Sequence, residues 1–599
     1  MREAVQMKQF LDERAGSAPA PNTRGTEGFN TWKEEFRTEL LNRWGLSLHL
    51  GARRPPPHVI VTGVTDADTY RIERIHFESR PGLLVTGNLY IPRGLSGMAP
   101  AIVYLCGHHT GQKMHYQQHA RRFVQLGFIT LILDTLLHGE VPGHHRGTHG
   151  EGAFHWISRG YSPAAVETLN AIRGVDILKS RPDVDPKAIG ITGHSGGGAI
   201  AWWAAALDPR IAALASSTGT GSWGHHIRYR TLDTHCDCYF PPLLPGEYVE
   251  DVYTLLAPRP ALIVAPRWDH VYHADAVRAS YEALLPIYRH LGAPEKLSLF
   301  AFDAPHQYTS ESRREIFRWM VHHLAGREES DIDDVDAHLH THEELSVFRP
   351  GDRVPDNGNS RVQDWFLTGL PAHGDLDDHL QRVCAPAGSP RPPLGRWEVA
   401  REYIRRDLTI RDLRIDNGDG WWLDACEVRP AAAAPTALDL VLRGPEEHGP
   451  FWQTPLPTSP TVARLICHVR GTGDTAWHPS QNWHLRRAAA LLGTSIAAMR
   501  AWDVACFISM ARELMPDARI TIHAKGDLSV SALIGAILDG GAPALRLYDP
   551  PRSLDCPSSA DGHDSMVEIP SILRWVDMPN LLARTGAEVL KAPPDPTYQ

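Results

Sequence analysis

Short, wholly apolar runs alternate along the first half of this chain with longer segments whose apolar residues recur every three or four positions. The runs are AIVYLC from 101, FITLILD from 128, AIGITG from 188, IAALASS from 211, ALIVAP from 261 and LSLFAF from 297. Between them the spacing predicts helices over Tyr116–Leu126, Pro163–Lys179, Gly197–Leu207, Ala274–His290 and Ser310–His323. Apolar strands separated by helices are the pattern of a mostly parallel sheet covered on both faces. Ahead of this array, Arg71–Ser79 and Leu83–Ile91 alternate and read as antiparallel strands. Residues 30–48 place Trp32, Phe36, Leu40, Leu41, Trp44 and Leu48 at helical spacing, so a helix packed on the domain that follows is expected.

The pattern breaks at 327–362, where an acidic run (REESDIDDVDAHLHTHEE) gives way to a Pro-, Gly- and Asn-rich stretch (FRPGDRVPDNGNS). We read a linker there, between a first domain over 1–326 and a second over 363–599. The second domain repeats the first in weakened form. IGITGHSGGGAIAWWAAALD (189–208) aligns without a gap on ITIHAKGDLSVSALIGAILD (520–539), which sets Ser195 opposite Gly526. The R-x-x-D pair Arg173/Asp176 recurs as Arg500/Asp503, and Asp251 with Leu255 and Leu256 is echoed by Asp577 with Leu581 and Leu582. The second copy ends near Gln599, before the positions of a triad's acid and histidine are reached, so a degenerate, noncatalytic domain of the same α/β class is expected.

Composition narrows the function classes. Net charge is −10 and the pI about 6.4, which argues against a general affinity for nucleic acid or an anionic membrane. No apolar stretch is long enough to span a bilayer, and the N-terminal MREAVQMKQFLDERAGS lacks the uninterrupted apolar core of a signal peptide. The eight cysteines are scattered, which suits reduced thiols and a cytoplasmic protein. Oligomeric state is left open; a homo-oligomer is compatible with the sequence.

The chemistry concentrates at Gly193-His194-Ser195-Gly196-Gly197. This is G-x-S-x-G at the end of an apolar strand and at the opening of a helix, the context of a nucleophile elbow. Small neighbours let the chain double back sharply, and the helix N-terminus turns its free N–H groups toward the serine. Serine needs a base, and in this architecture the partners follow in the order acid, then histidine. Asp269 lies just past the ALIVAP strand and His306 just past LSLFAF. We therefore expect Ser195 as nucleophile, His306 as base and Asp269 as the group that orients it. Asp275 reads better as a helix cap, and Asp303 is too near His306 in sequence. For the oxyanion, donors are expected from the N–H of Gly196 and from the Gly107–Thr110 loop, with His108 and His109 as candidates.

The runs RIERIHFESRPGLLVTGNLYIP, CGHHTGQK, GFITLILDTLLHGE, GHSGGG, LLAPRPALIVAPRWD and PHQY together resemble bacterial acetyl xylan esterase-like and dienelactone hydrolase-like proteins of the α/β-hydrolase superfamily, over about residues 30–325. The resemblance implies an α/β-hydrolase fold and an esterase, with acetylated carbohydrates among its expected substrates and Ser195, Asp269 and His306 at the matching positions. It also implies a second hydrolase-like domain. Dienelactone hydrolases proper use cysteine where this chain has Ser195, which favours ordinary ester hydrolysis.

Residues 218–248 form a long insertion suited to a lid. Trp223, His225, His226, Tyr229 and Tyr239, with Arg228 and His235, are its pocket candidates. Nine histidines crowd 108–155, but no Cys/His or H-E-x-x-H spacing accompanies them, so neither a metal nor a cofactor is expected. The partner expected is a small-molecule ester. Two other readings stand beside esterase: a peptidase or amidase with a prolyl oligopeptidase-type elbow, and a noncatalytic binding protein that kept a hydrolase shell.

Overall fold

The computed structural model describes residues 7, 9–11, 13–14, 26–50, 54–140, 142–364, 374–386, 389–392, 395–432, 434–444, 461–541 and 543–591. Nine strands build the first sheet: β1 (Ile60–Asp66), β2 (Tyr70–Arg80), β3 (Leu83–Pro92), β4 (Ala99–Leu105), β5 (Ile129–Leu133), β6 (Val184–His194), β7 (Ala213–Ser217), β8 (Ala261–Pro266) and β9 (Leu297–Phe302). Their order across the sheet is β1-β2-β3-β5-β4-β6-β7-β8-β9. The pairs β1–β2, β2–β3 and β3–β5 are antiparallel, and from β5 to β9 the pairing is parallel. An antiparallel start feeding a parallel array is the expected order, and β1 is the strand that the apolar pattern did not announce. Its residues are mostly exposed, so it carries no apolar run.

Helices of eight or more described residues are numbered α1 to α11. In the first half they are α1 (Thr26–Arg43), α2 (Gln117–Gln125), α3 (Pro163–Ser180), α4 (Gly196–Leu207), α5 (Ala274–His290) and α6 (Ser310–Ala325). Every residue of α4 is buried, Trp202 and Trp203 included, because the sheet lies on one side and α1 and α3 on the other. The packing of α1 is fixed by more than its apolar face. Lys33 donates to Ala257 O, and Arg37 Nε donates to Ala206 O at 3.1 Å near the end of α4. Such bonds satisfy carbonyls that a helix terminus leaves open.

The second half holds α7 (Leu376–Cys384), β10 (Trp397–Arg405), β11 (Leu408–Asp416), β12 (Trp422–Pro430), β13 (Ala437–Leu442), β14 (Val462–His468), α8 (Asn482–Leu491), α9 (Ile496–Leu514), β15 (Arg519–Lys525), α10 (Leu528–Asp539), β16 (Ala544–Tyr548), α11 (Met578–Thr585) and β17 (Glu588–Leu590). Its sheet runs β10-β11-β12-β14-β13-β15-β16-β17. Strand for strand this is the order of β1 to β8, with the same switch from antiparallel to parallel. The whole chain is therefore α/β, with two mixed sheets of one topology.

Residues 327–362 join the halves by lying along the first one. His340 exchanges hydrogen bonds with Gln117, and Arg121 pairs with Asp336 at 2.7 Å. Glu140 accepts from the N–H groups of Val347 and Phe348 at 2.9 and 2.7 Å, and the Asn359 side chain brackets both backbone groups of Leu84. Glu140 also pairs with the buried Lys113, which pairs in turn with Asp134. Among the described residues, no single helix is long and apolar enough to cross a membrane.

Candidate active site

Strand β6 ends at His194 and helix α4 begins at Gly196, leaving Ser195 alone in the turn at φ +56° and ψ −121°. A non-glycine residue there is strained, and the surroundings must hold it. They do so through the Ser195 N–H, which donates to Ser217 O at 2.9 Å and to Thr218 Oγ at 3.0 Å. The glycines around it make the turn possible: a Cβ on Gly193 would strike the backbone of Gly197, and one on Gly197 would strike Leu105 O.

The hydroxyl so presented meets an imidazole. Ser195 Oγ lies 2.9 Å from His306 Nε2, and His306 Nδ1 lies 2.8 Å from Asp269 Oδ2. The other oxygen of the Asp269 carboxylate accepts from the N–H groups of Val271 and Tyr272 at 2.7 and 3.0 Å. Asp269 is 4% exposed, so these bonds act with little competition from water. The rival acids point elsewhere. Asp275 lies in the first turn of α5 beside His273 and Tyr229, where His273 and not Asp275 is the cap, its Nδ1 accepting from the Asp275 N–H at 3.3 Å; Asp303 pairs with Arg267 at 2.8 Å on the surface.

A shell of aromatic and imidazole rings surrounds His306. Tyr272 stacks nearly parallel to it at 6.1 Å, and His194 lies 5.3 Å away. His194, which occupies the variable position of the elbow, bonds Thr218 through Nδ1 at 3.0 Å. Burial and the nearby His306 hold His194 well below the usual imidazole range; burial also brings His119 and His226 down to about 3. These rings pack around the triad without adding positive charge. Neither His194 nor Thr218 was singled out in the sequence, because their role depends on the neighbouring strand β7.

The pocket candidates divide. His226 and Tyr239 are buried in a ring cluster with His235 and Tyr272 that reaches His306. Trp223 is buried against Tyr239, and His225 is half-buried. Tyr229 is 44% exposed and stacks on His273, away from this cluster. The oxyanion candidates divide as well. Gly196 opens α4, where helical N–H groups lack intrahelical partners. The His109 N–H is taken by Gly107 O at 2.9 Å, and its ring stacks on His115. His108 instead lies against the elbow, so close that a methyl on Gly196 would collide with its Nε2.

His108 also belongs to a grouping that the sequence did not lead us to expect. His108, His145, Cys236 and Cys238 bring one ligand atom each to within 4.8 Å of one another. They come from three separate loops, so the one short spacing, Cys236-x-Cys238, which is not a usual zinc pair on its own, does not announce the two histidines. Burial pushes the Cys236 thiol up, but the Cys238 hydrogen bond and the charges of His108 and His145 bring it well below the usual thiol range. A cavity of about 320 Å³ lies farther off, between the two halves, lined by Arg43, Trp156, Phe240, His379, Arg487 and Trp575 among others; none of the triad residues lines it.

Residues 44–220 match the family model of acetyl xylan esterase (AXE1), a span that includes the Gly107 loop and Ser195 but stops before Asp269 and His306. Among curated proteins, YtaP of Bacillus subtilis (strain 168), a hydrolase by assignment, is 31% identical over 154 residues, 25% of this chain and 51% of that protein. Thiohydrolase apmlB of Arthrinium phaeospermum is 30% identical over 139 residues, 23% of this chain and 40% of that protein. The chain thus spans about half or less of the length of the curated relatives it matches. Among solved structures, methylesterase BT1017 is similar at 20% identity and TM-score 0.42, over 58% of this chain and 72% of that one. Acetyl xylan esterase 1 from Thermoanaerobacterium sp. JW/SL YS485 is similar at 17% identity and TM-score 0.36, over 52% of this chain and 97% of that one. By its sheet order and its elbow the first half of this chain has the α/β-hydrolase fold, and over residues 44–220 it is similar to the acetyl xylan esterases, a family of carboxylic ester hydrolases.

Proposed function

We propose that this chain is a serine esterase that hydrolyses a small acyl ester, with an acetylated carbohydrate as the leading substrate class. Ser195 Oγ attacks the ester carbonyl while His306 Nε2 takes its proton. Asp269 holds the imidazole in the required tautomer and stabilises the imidazolium. The Gly196 N–H and a donor from the Gly107–Thr110 loop stabilise the oxyanion. His306 protonates the departing alcohol and then activates the water that releases the acid from the acyl-enzyme. The observation that carries this reading is the continuous chain of hydrogen bonds Ser195–His306–Asp269, at 2.9 and 2.8 Å. The second half, with Gly526 at the elbow position, is read as catalytically silent support for the first. A cytoplasmic, thiol-reducing setting suits the free cysteines.

The test is labelling with a fluorophosphonate probe, followed by turnover of p-nitrophenyl acetate, acetylated sugars and dipeptide amides. Ester turnover and a label on Ser195, both lost in Ser195→Ala at unchanged melting temperature, are expected. Unchanged turnover in Ser195→Ala would overturn the nucleophile, and faster turnover of the amides would favour a peptidase.

A further inference from the structure

We propose that His108, His145, Cys236 and Cys238 are the ligands of a structural zinc site beside the nucleophile elbow. Thiolate sulfur with imidazole nitrogen is the donor set that selects zinc, and two of each fill a closed tetrahedral site. The distances suit one shared ion. Cys236 Sγ lies 3.0 Å from His145 Nε2, 3.6 Å from His108 Nε2 and 3.2 Å from Cys238 Sγ; Cys238 Sγ lies 3.5 Å from His108 Nε2. A zinc tetrahedron has sulfur–sulfur edges of about 3.8 Å and nitrogen–sulfur edges of about 3.6 Å. These four separations lie within about 0.6 Å of those edges, and all four ligand atoms lie within 4.8 Å of one another. The sulfurs are too far apart for a disulfide, which needs about 2.05 Å.

The outer shell is that of a metal site. Glu167, on α3, bonds His145 Nδ1, which fixes the tautomer so that Nε2 carries the lone pair. Three of the four ligands are buried, and His108 is the exposed one. The loop bearing the cysteines is held from behind by the second half of the chain. Arg487, fully buried, donates to Leu232 O at 2.9 Å, to Thr148 Oγ at 3.1 Å and to His235 O. Asp237, between the two cysteines, accepts from the N–H and hydroxyl of Thr148 at 2.7 and 2.6 Å. Three loops, after β4, after β5 and after β7, thus converge on one point with their backbones already braced.

With four protein ligands the site leaves no position for substrate, so its work is positional. It ties the lid insertion to the His108 loop, and that loop packs on Gly196, where the oxyanion donors are expected. This consequence for catalysis rests on the esterase reading; zinc binding does not.

Tag-free protein from zinc-supplemented medium, analysed by mass spectrometry for metals, should hold one zinc per chain. Ser195→Ala should hold the same amount, which separates this proposal from the triad. Cobalt exchanged into the site should give a thiolate-to-metal charge-transfer band that Cys236→Ser/Cys238→Ser lacks. Glu167→Gln, which keeps all four ligands, should weaken zinc about 10- to 100-fold. Less than a tenth of an equivalent after reconstitution of the wild-type chain, full zinc in the double serine variant, unchanged affinity in Glu167→Gln, or a Cys236–Cys238 disulfide as the resident state would each overturn it.

Discussion

Ser195 and Gly526 hold the same left-handed turn in the two halves of the chain, at φ +56° and +55°. The likeness extends to their anchoring. Each N–H donates at 2.9 Å to the carbonyl of the residue that ends the next strand, Ser217 in β7 and Tyr548 in β16. The second half makes the same bend with a glycine where the first half has a serine.

That pairing predicts a silent serine. A Cβ on Gly526 would meet no atom within 4 Å, so Gly526→Ser should fold at a cost of about 1–2 kcal/mol for the left-handed conformation. Among the described residues no strand pairs beyond β17, and none of them forms a counterpart of the His306 loop at this turn. Without a base the new hydroxyl stays at ordinary reactivity. The double variant Ser195→Ala/Gly526→Ser should remain unlabelled by a fluorophosphonate; a label on residue 526 would show that the second half retains a working base.

Asp269 should matter through His306 rather than through substrate. Asp269→Asn keeps the two backbone N–H contacts available but favours the wrong imidazole tautomer. A drop in kcat of about 10⁴-fold with little change in KM is expected. Steady-state kinetics on p-nitrophenyl acetate would check this, and a loss below tenfold would point to a different orienting group.

The buried Lys113 joins two loops that the sequence presents as separate motifs. It pairs with Asp134 and Glu140, and its neighbour Gln112 donates to Gly107 O at 2.9 Å and accepts from the Thr135 N–H at 2.8 Å. Lys113→Met leaves two carboxylates without their cation, which should cost about 3–5 kcal/mol of stability in urea unfolding. A melting temperature equal to wild type would mean that the pair is not formed in solution.

Glu250 supplies a pH signature. Burial raises its carboxyl from 4.5 to about 7, against the hydrogen bonds of a backbone group, of Ser280 Oγ at 3.2 Å and of Ser222, which hold it lower. The folded chain then holds a proton that the unfolded chain releases, so this group's contribution to stability is greatest below pH 4.5 and is lost as pH rises toward 7. The loss amounts to at most about 3 kcal/mol. Glu250→Gln should be more stable than wild type at pH 8 and should lose most of that advantage at pH 5. Parallel pH–stability curves for the two proteins would refute the assignment.

What could be read from the sequence depended on how local the signal was. The elbow, Asp269 and His306 each sit just past an apolar run, so strand ends alone located them. Helix bounds followed the same logic, and Ala274–His290 was read to the residue. The Cys/His grouping was out of reach because His108, His145 and Cys236 are brought together from positions far apart in the chain. For the lid residues, pocket lining and plain packing could not be told apart from the sequence. Tyr239 and His226 are buried packing as much as pocket, and Tyr229 is on the surface. Arg487 was invisible for a third reason: a buried arginine is explained only by the half of the molecule it reaches into.

The segment from 327 to 362 has a practical meaning for anyone dividing this protein. A chain stopped at residue 326 would strip Glu140 of its two backbone donors, Arg121 of Asp336 and Leu84 of the Asn359 side chain, and would bare the edge along which they lie. The first half should therefore be cut after the Asn359 contact, not before the acidic run, if it is to stand alone. Hydrogen exchange at the Leu84 amide would report whether a given cut has left that edge closed.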